Sequence, residues 1–178
     1  MRVVGAVEQN TTEDSLSLPD GSGSVPFSSD LDKILTSCHP DVLVDFTLAP
    51  ATRAAAPVAA KRGVNMVIGT TGLTGSDMDE MARLADKHKI GIVVAANFAL
   101  GAVMMMHLAK IAAKYFDYAE IIEMHHEQKA DAPSGTALAT ARAMAQARSG
   151  CFKRNQTTKT TLDGTRGGDW EGVTLHSV

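Results

Sequence analysis

The sequence predicts an α/β protein: a doubly wound parallel sheet with helices on both faces, followed by a smaller mixed α+β unit. Two observations carry this reading. Four short apolar runs, residues 2–8 (RVVGAVE), 41–46 (DVLVDF), 64–68 (VNMVI) and 90–95 (IGIVVA), read as strands buried on both faces. Helical segments stand between them, and strand and helix alternating at short intervals predict a parallel sheet with right-handed crossovers.

The elements follow in order. Residues 10–30 are polar and rich in glycine, serine and proline, which predicts a loop, and residues 31–35 a helical turn. Residues 50–62 (PATRAAAPVAAKR) are alanine-rich and run into Gly63, which predicts a helix with a glycine stop, bent or shortened at Pro57. The turn GTTG at residues 69–72 closes the third strand. Residues 76–88 place Met78, Met81, Leu84 and Ala85 at helical spacing.

Beyond Asn97 the pattern changes. A long apolar helix is expected over residues 101–115, with Met104, Met105 and Met106 packed in a core. A strand follows at 120–124, a helix at 134–147, a polar glycine-rich stretch from Ser149, and a strand at 173–178. The expected division is therefore residues 1–97 and 98–178.

The 178 residues are 44% hydrophobic and 21% charged, enough to bury a core. A formal net charge of −3 gives no reason to expect nucleic acid or an anionic membrane as a partner. No apolar run approaches the roughly 20 residues that span a bilayer, and the first residues lack the pattern of a secretory signal. Cys38 and Cys151 stand far apart, outside any CxxC or Cys/His ligand spacing.

Several residues carry chemistry. Glu8 ends the first strand, where a carboxylate can accept hydrogen bonds from ribose hydroxyls, although a solvated carboxylate is the plainer reading. No GxGxxG turn is present. The turns at Gly69, Thr70, Thr71 and at Ala95, Ala96, Asn97, Phe98 each follow a predicted parallel strand, at the sheet edge where ligands bind. Small residues there allow close backbone approach to a flat ring or a phosphate; turn chemistry alone would also explain them.

The densest cluster is EMHHEQKADAPSGTA, residues 123–137. His125 and His126 are suited to proton exchange near neutral pH, and Lys129 can supply charge or a proton. Ser134 suits an N-cap, and the free N–H groups of Gly135 and Thr136 favour an anion such as a carboxylate. The adjacent histidines lack a third ligand at zinc-type spacing, so no metal is expected. Arg166, in the TRGGD stretch, could meet a carboxylate or simply lie in a loop.

The run E-x-H-H-x-x-K-x-D-A-P-S-G-T-A at residues 123–137 resembles the substrate-site motif of the dihydrodipicolinate reductase family. GAVE ending at Glu8, DFT at residues 45–47, GTTG, AANFALG ending at Gly101, and RGGD followed by HSV stand in family order. The resemblance covers essentially the whole chain. It implies a Rossmann domain hinged near Asn97 to a substrate-binding domain that also builds a homotetramer. It also implies hydride transfer from NADH or NADPH to a cyclic unsaturated imine dicarboxylate in lysine and diaminopimelate synthesis, in the cytoplasm or a plant plastid.

Residue by residue, the resemblance makes His125 and Lys129 catalytic, with His126, Gly135 and Thr136 holding substrate carboxylates. It makes Glu8 the ribose ligand and Gly69, Thr70, Thr71 and Ala95, Ala96, Asn97, Phe98 the nicotinamide-side contacts. Two departures stand out. Gln9 follows Glu8 where many members place an arginine, which favours NADH or little discrimination. The glycine loop before Glu8 and the later strands of the substrate domain are not in the sequence, so the chain alone is expected to bind cofactor poorly and to expose sheet edges.

Two other readings compete. One is another two-domain nicotinamide-dependent dehydrogenase, of the homoserine or aspartate-semialdehyde kind; the semialdehyde enzymes need a nucleophilic cysteine that Cys38 and Cys151 are badly placed to supply. The other is an inactive gene fragment of the reductase family.

Overall fold

The computed structural model describes residues 1–129, 131–154 and 157–178. The chain divides into two compact units, Met1–Ala95 and Ala96–Val178.

In the first unit, β1 (Ala6–Val7) pairs in parallel with β3 (Ser24–Ser28), which pairs antiparallel with β2 (Ser15–Ser17). The expected loop over residues 10–30 is thus largely a hairpin. Its serine- and proline-rich strands carry little β signal of their own; β3 is held by the ladder to β1, with Ala6 opposite Phe27 and Val7 opposite Ser28. Gly21 and Gly23, both at positive φ, turn the hairpin.

The second sheet orders β4 (Val42–Asp45), β5 (Asn65–Ile68) and β6 (Ile92–Val94) side by side, all parallel. Helix α1 (Leu31–Cys38) leads into β4, and α2 (Ala49–Lys61) and α3 (Gly75–His88) connect β4 to β5 and β5 to β6. The strands step in one direction, so right-handed crossovers collect these helices on one face. That face buries Leu35, Ala56, Ala59, Ala60, Met66, Ile68, Met81 and Leu84. On the other face Val42, Val44 and Val93 remain exposed.

Local signals explain the helix ends. Asp30 caps α1 by accepting from the Lys33 N–H at 3.1 Å. Thr74 and Asp77 form a reciprocal capping box on α3. Helix α2 runs unbroken through Pro57, because Ala56, Ala59 and Ala60 pack without exposure against the sheet on either side of it. Bidentate ion pairs Arg53–Asp77 (2.7 and 2.9 Å) and Arg62–Asp32 (2.9 and 2.6 Å) tie α2 to α3 and α1.

In the second unit, β7 (Glu120–Glu123) pairs in parallel with β9 (Val173–Ser177), and β8 (Gly168–Trp170) pairs antiparallel with β9. Helices α4 (Leu100–Ala112) and α5 (Gly135–Gln146) complete it. Strand β8 has only the residues GDW and gave no periodic signal. The core comprises Ala113, Ala141, Phe152, Val173 and Leu175.

Here one expectation fails: Met104 and Met105 are 47% and 53% exposed, not core. Helix α4 and its C-cap turn Ala102, Met106, Ala109, Ala112 and Ala113 inward. Val103, Met104, Met105, Leu108 and Ile111 are left 45–57% exposed.

Candidate active site

The C-terminal ends of β4 and β5 are knit together by a buried carboxylate. Asp45 Oδ1 accepts from the Thr47 N–H (2.9 Å), the Thr47 hydroxyl (2.7 Å) and the Thr70 hydroxyl (3.1 Å), while the Thr47 N–H also reaches Thr70 Oγ1 at 3.0 Å. Asp45 Oδ2 is buried and has no hydrogen-bond partner among the described residues. This cluster holds the turn of Gly69, Thr70 and Thr71 against the turn after β4. Asp45 was missed in the sequence, where it reads as one acid in an apolar run.

Gly69 has no room for a side chain: an added Cβ would lie 2.1 Å from Phe46 Cε1. The Phe46 ring, 65% exposed, lies across that turn. Ala95 joins the same edge, its N–H donating to the Ile68 carbonyl at 3.0 Å. Glu8 sits exposed at the end of β1, in the other sheet of the unit, followed by a turn in which the Thr11 N–H meets its carbonyl at 3.2 Å.

In the second unit, Asn97 Nδ2 donates to Thr136 Oγ1 (3.1 Å), and Thr136 Oγ1 to the Ala96 carbonyl (3.4 Å). The expected cofactor-side residues Ala96 and Asn97 therefore lie against the start of α5. Phe98, next along the same loop, is exposed.

His125 continues β7 beyond its last paired residue: its N–H donates to the Val178 carbonyl at 3.0 Å, and the Val178 N–H donates to the Glu123 carbonyl at 3.0 Å. Both His125 and His126 are exposed. A turn follows, with the Lys129 N–H donating to the His126 carbonyl at 3.1 Å. The Lys129 ammonium pairs with the Asp131 carboxylate.

Ser134 caps α5, its hydroxyl accepting from the Ala137 N–H at 3.1 Å. Gly135 and Thr136 are the first helical residues, so no helical carbonyl can take their N–H groups. Those two donors and the positive end of the helix suit a carboxylate.

Glu123 opens the motif at residues 123–137, but the sequence assigns it no role. Its Oε1 accepts from the Ser134 N–H (2.7 Å) and the Ser177 hydroxyl (2.8 Å), its Oε2 accepts from the Ser134 hydroxyl, and His125 Nδ1 stands 3.8 Å from Oε2. Burial pushes its carboxyl upward, but the hydrogen bonds from Ser134 and Ser177 outweigh this and hold it below the usual range. The alternation of a strand, which sets residues 123 and 125 on one side, is the signal that could have found it.

Among the described residues no group of three or more His, Cys, Asp or Glu is arranged to hold a metal ion. No described helix is long and apolar enough to cross a membrane.

Parallel strands whose C-terminal ends carry the turns at Gly69 and Ala95, followed by a smaller unit with a histidine-lysine loop before a capped helix N-terminus, define the class: a two-unit α/β protein with a Rossmann-like first part. Comparison with known proteins gives the family. Residues 1–98 match the family described as dihydrodipicolinate reductase, N-terminus, and residues 101–178 match dihydrodipicolinate reductase, C-terminus. The chain belongs to the dihydrodipicolinate reductase family.

It is 47% identical over 175 residues to a 4-hydroxy-tetrahydrodipicolinate reductase of Dehalococcoides mccartyi, spanning 98% of this chain and 66% of that relative. It is 44% identical over 178 residues to the reductase of Moorella thermoacetica, again 66% of that relative's length. A solved structure, the dipicolinate-bound dihydrodipicolinate reductase of Paenisporosarcina sp. TG-14, aligns with a TM-score of 0.73 at 39% identity, covering 99% of this chain and 68% of that one. The chain thus spans just under two thirds of the length of these curated relatives.

Proposed function

We propose that the protein carrying this chain reduces 4-hydroxy-tetrahydrodipicolinate (dihydrodipicolinate) to tetrahydrodipicolinate with NADH or NADPH, in lysine and diaminopimelate synthesis. The observation that supports the proposal is Glu123, which stands beside His125 Nδ1 and holds Ser134, the cap before the free N–H groups of Gly135 and Thr136. A dicarboxylate ring needs both: donors for its carboxylates and a proton for the atom reduced.

Residues of the first unit fit a nicotinamide cofactor. Gly69 brings backbone close to the Phe46 ring, Thr70 and Thr71 offer polar atoms in the same turn, and the unpartnered Asp45 Oδ2 leaves a buried acceptor. Glu8 would take the ribose hydroxyls; the family resemblance assigns Ala95, and Ala96, Asn97 and Phe98 at the start of the second unit, to the nicotinamide. The reduced nicotinamide supplies the hydride when bound.

The chain's own residues do the rest. Gly135, Thr136 and His126 hold carboxylates, and this anchoring orients the ring. His125, at the end of β7, exchanges the proton. Lys129 is already paired with Asp131, so an arriving substrate carboxylate competes with Asp131 for the ammonium and draws it toward the ring.

The finer features follow the same reading. Residues 1–97 bind cofactor and residues 98–178 bind substrate and build a homotetramer in the cytoplasm (or a plastid). Gln9, exposed and uncharged in the turn after Glu8, favours NADH or little discrimination.

The test is substrate-dependent oxidation of NADH and NADPH by the protein as expressed from its own gene, beside His125→Ala and Lys129→Ala variants. Turnover that falls by about 10²- to 10⁴-fold in each variant supports the proposal. No turnover in the parent protein overturns it, and leaves an inactive member of the family.

A further inference from the structure

We infer that Glu123 is a positioning residue for this site, a single carboxylate that sets both the proton-exchanging histidine and the anion-binding end of α5. The inference rests on the reductase reading for the roles of those two parts, and on the structure for their linkage.

Three segments converge on this side chain, of which only 12% is exposed. Glu123 ends β7, so its backbone is held in the ladder opposite Ser177. Its Oε1 takes the Ser177 hydroxyl from β9 and the Ser134 N–H from the loop before α5. Its Oε2 takes the Ser134 hydroxyl and faces His125 Nδ1 at 3.8 Å.

The direction of the hydrogen bonds matters. The Ser134 hydroxyl spends its proton on Glu123, so only its lone pairs face the helix, and these accept from Ala137 N–H. The cap is thereby committed to the third helical residue, and the N–H groups of Gly135 and Thr136 stay available to a ligand. Without the carboxylate, the Ser134 hydroxyl and N–H would both lose their acceptor, and the loop carrying Gly135 and Thr136 would lose its tether to the sheet.

On its other side, the carboxylate stands 3.8 Å from His125 Nδ1, which sets the edge of the imidazole that faces β7. The anion site and the proton site therefore share one fixed point. A 1 Å displacement at such a point is costly to a reaction that depends on alignment.

The experiment compares Glu123→Gln with the parent protein as expressed from its own gene. It reads kcat and KM separately for the cyclic dicarboxylate, and dipicolinate binding by titration. Gln keeps the size of the side chain but loses the charge and one acceptor. We expect kcat to fall by about 10- to 100-fold together with weaker dipicolinate binding, because both parts of the site move. Ser134→Ala removes the helix cap and one of the carboxylate's donors, but leaves Ser177 and the residue 134 N–H to hold Glu123, so it should raise KM with the smaller effect on kcat.

Kinetics within about twofold of the parent, with unchanged dipicolinate binding, would overturn the inference. Where Glu123→Gln does not fold, the Ser134→Ala/Ser177→Ala double variant keeps the carboxylate but strips it of both hydroxyl donors, leaving only the backbone N–H of residue 134, and an unchanged kcat there overturns the inference equally. A parent protein without turnover counts against the reductase reading alone. Dipicolinate titrated into it still reads the Gly135 and Thr136 amides, and equal binding by parent and Glu123→Gln would overturn the linkage.

Discussion

Asn97 and Thr136, 39 residues apart in sequence, meet through a hydrogen bond of 3.1 Å from the Asn97 amide to the Thr136 hydroxyl. The other end of the same amide accepts from the Ala99 N–H at 2.8 Å, just ahead of α4. One side chain therefore joins the entry to the second unit, the start of α4 and the first turn of α5. Helix α4 has no side-chain cap of its own at Ala99, which makes the Asn97 carbonyl oxygen the group that meets this stretch of backbone.

Asn97→Ala removes both bonds at once. The expected cost is about 1–2 kcal/mol of stability, read from urea unfolding. Because Thr136 loses the partner that orients it, dipicolinate binding should weaken as well. A variant of unchanged affinity would show that the Thr136 hydroxyl needs no orientation from Asn97.

Gly69→Ala should separate stability from binding. The new methyl meets the outer edge of the Phe46 ring, at the end of a side chain that is 65% exposed, so the stability loss should stay below about 1 kcal/mol. The displaced ring no longer lies across the turn, and NADH affinity should fall clearly more than stability does. Isothermal titration beside thermal unfolding checks both quantities on the same sample.

Asp77 gives the first unit an acid-sensitive clasp. The Arg53 guanidinium and the Thr74 backbone and hydroxyl donors hold its carboxyl far below the usual carboxylate range. A depressed folded-state value contributes stability that is complete above the unfolded value, near about pH 4, and is lost as pH falls toward the folded value. Asp77→Asn should therefore melt at a lower temperature than the parent near neutral pH. The gap should close as the pH drops below about 4, which a series of thermal melts would follow.

Gln9→Arg tests the cofactor preference. Arginine would offer a bidentate charged grip to a ribose phosphate, where glutamine offers only neutral hydrogen bonds. The KM for NADPH should fall by about tenfold or more relative to that for NADH. An equal ratio in parent and variant would place the ribose phosphate away from the turn after Glu8.

Much of the fold was legible because its signals are local. The runs at residues 41–46, 64–68 and 90–95 contain the strands β4, β5 and β6, and the serine at 134 and the glycine at 63 stand at or beside the helix ends that such residues favour. The hairpin of β2 and β3 and the short strand β8 were not legible. Their residues are polar or turn-forming, and only pairing to β1 and β9 makes strands of them. The methionines of α4 misled for the opposite reason: apolar residues state a preference for burial, not whether a neighbour exists to bury them.

For the site, the sequence alone determined the chemistry on offer: two histidines, a lysine, and a helix N-terminus for an anion, all within residues 123–137. Their spacing is short, so local geometry holds most of them near one another. Only the tertiary structure decided what holds that loop in place. Glu123 reaches Ser134 and Ser177, and Asn97 reaches Thr136, across separations of 11, 54 and 39 residues. Contacts of that range arise from how strands and helices pack, which no local pattern of residues encodes.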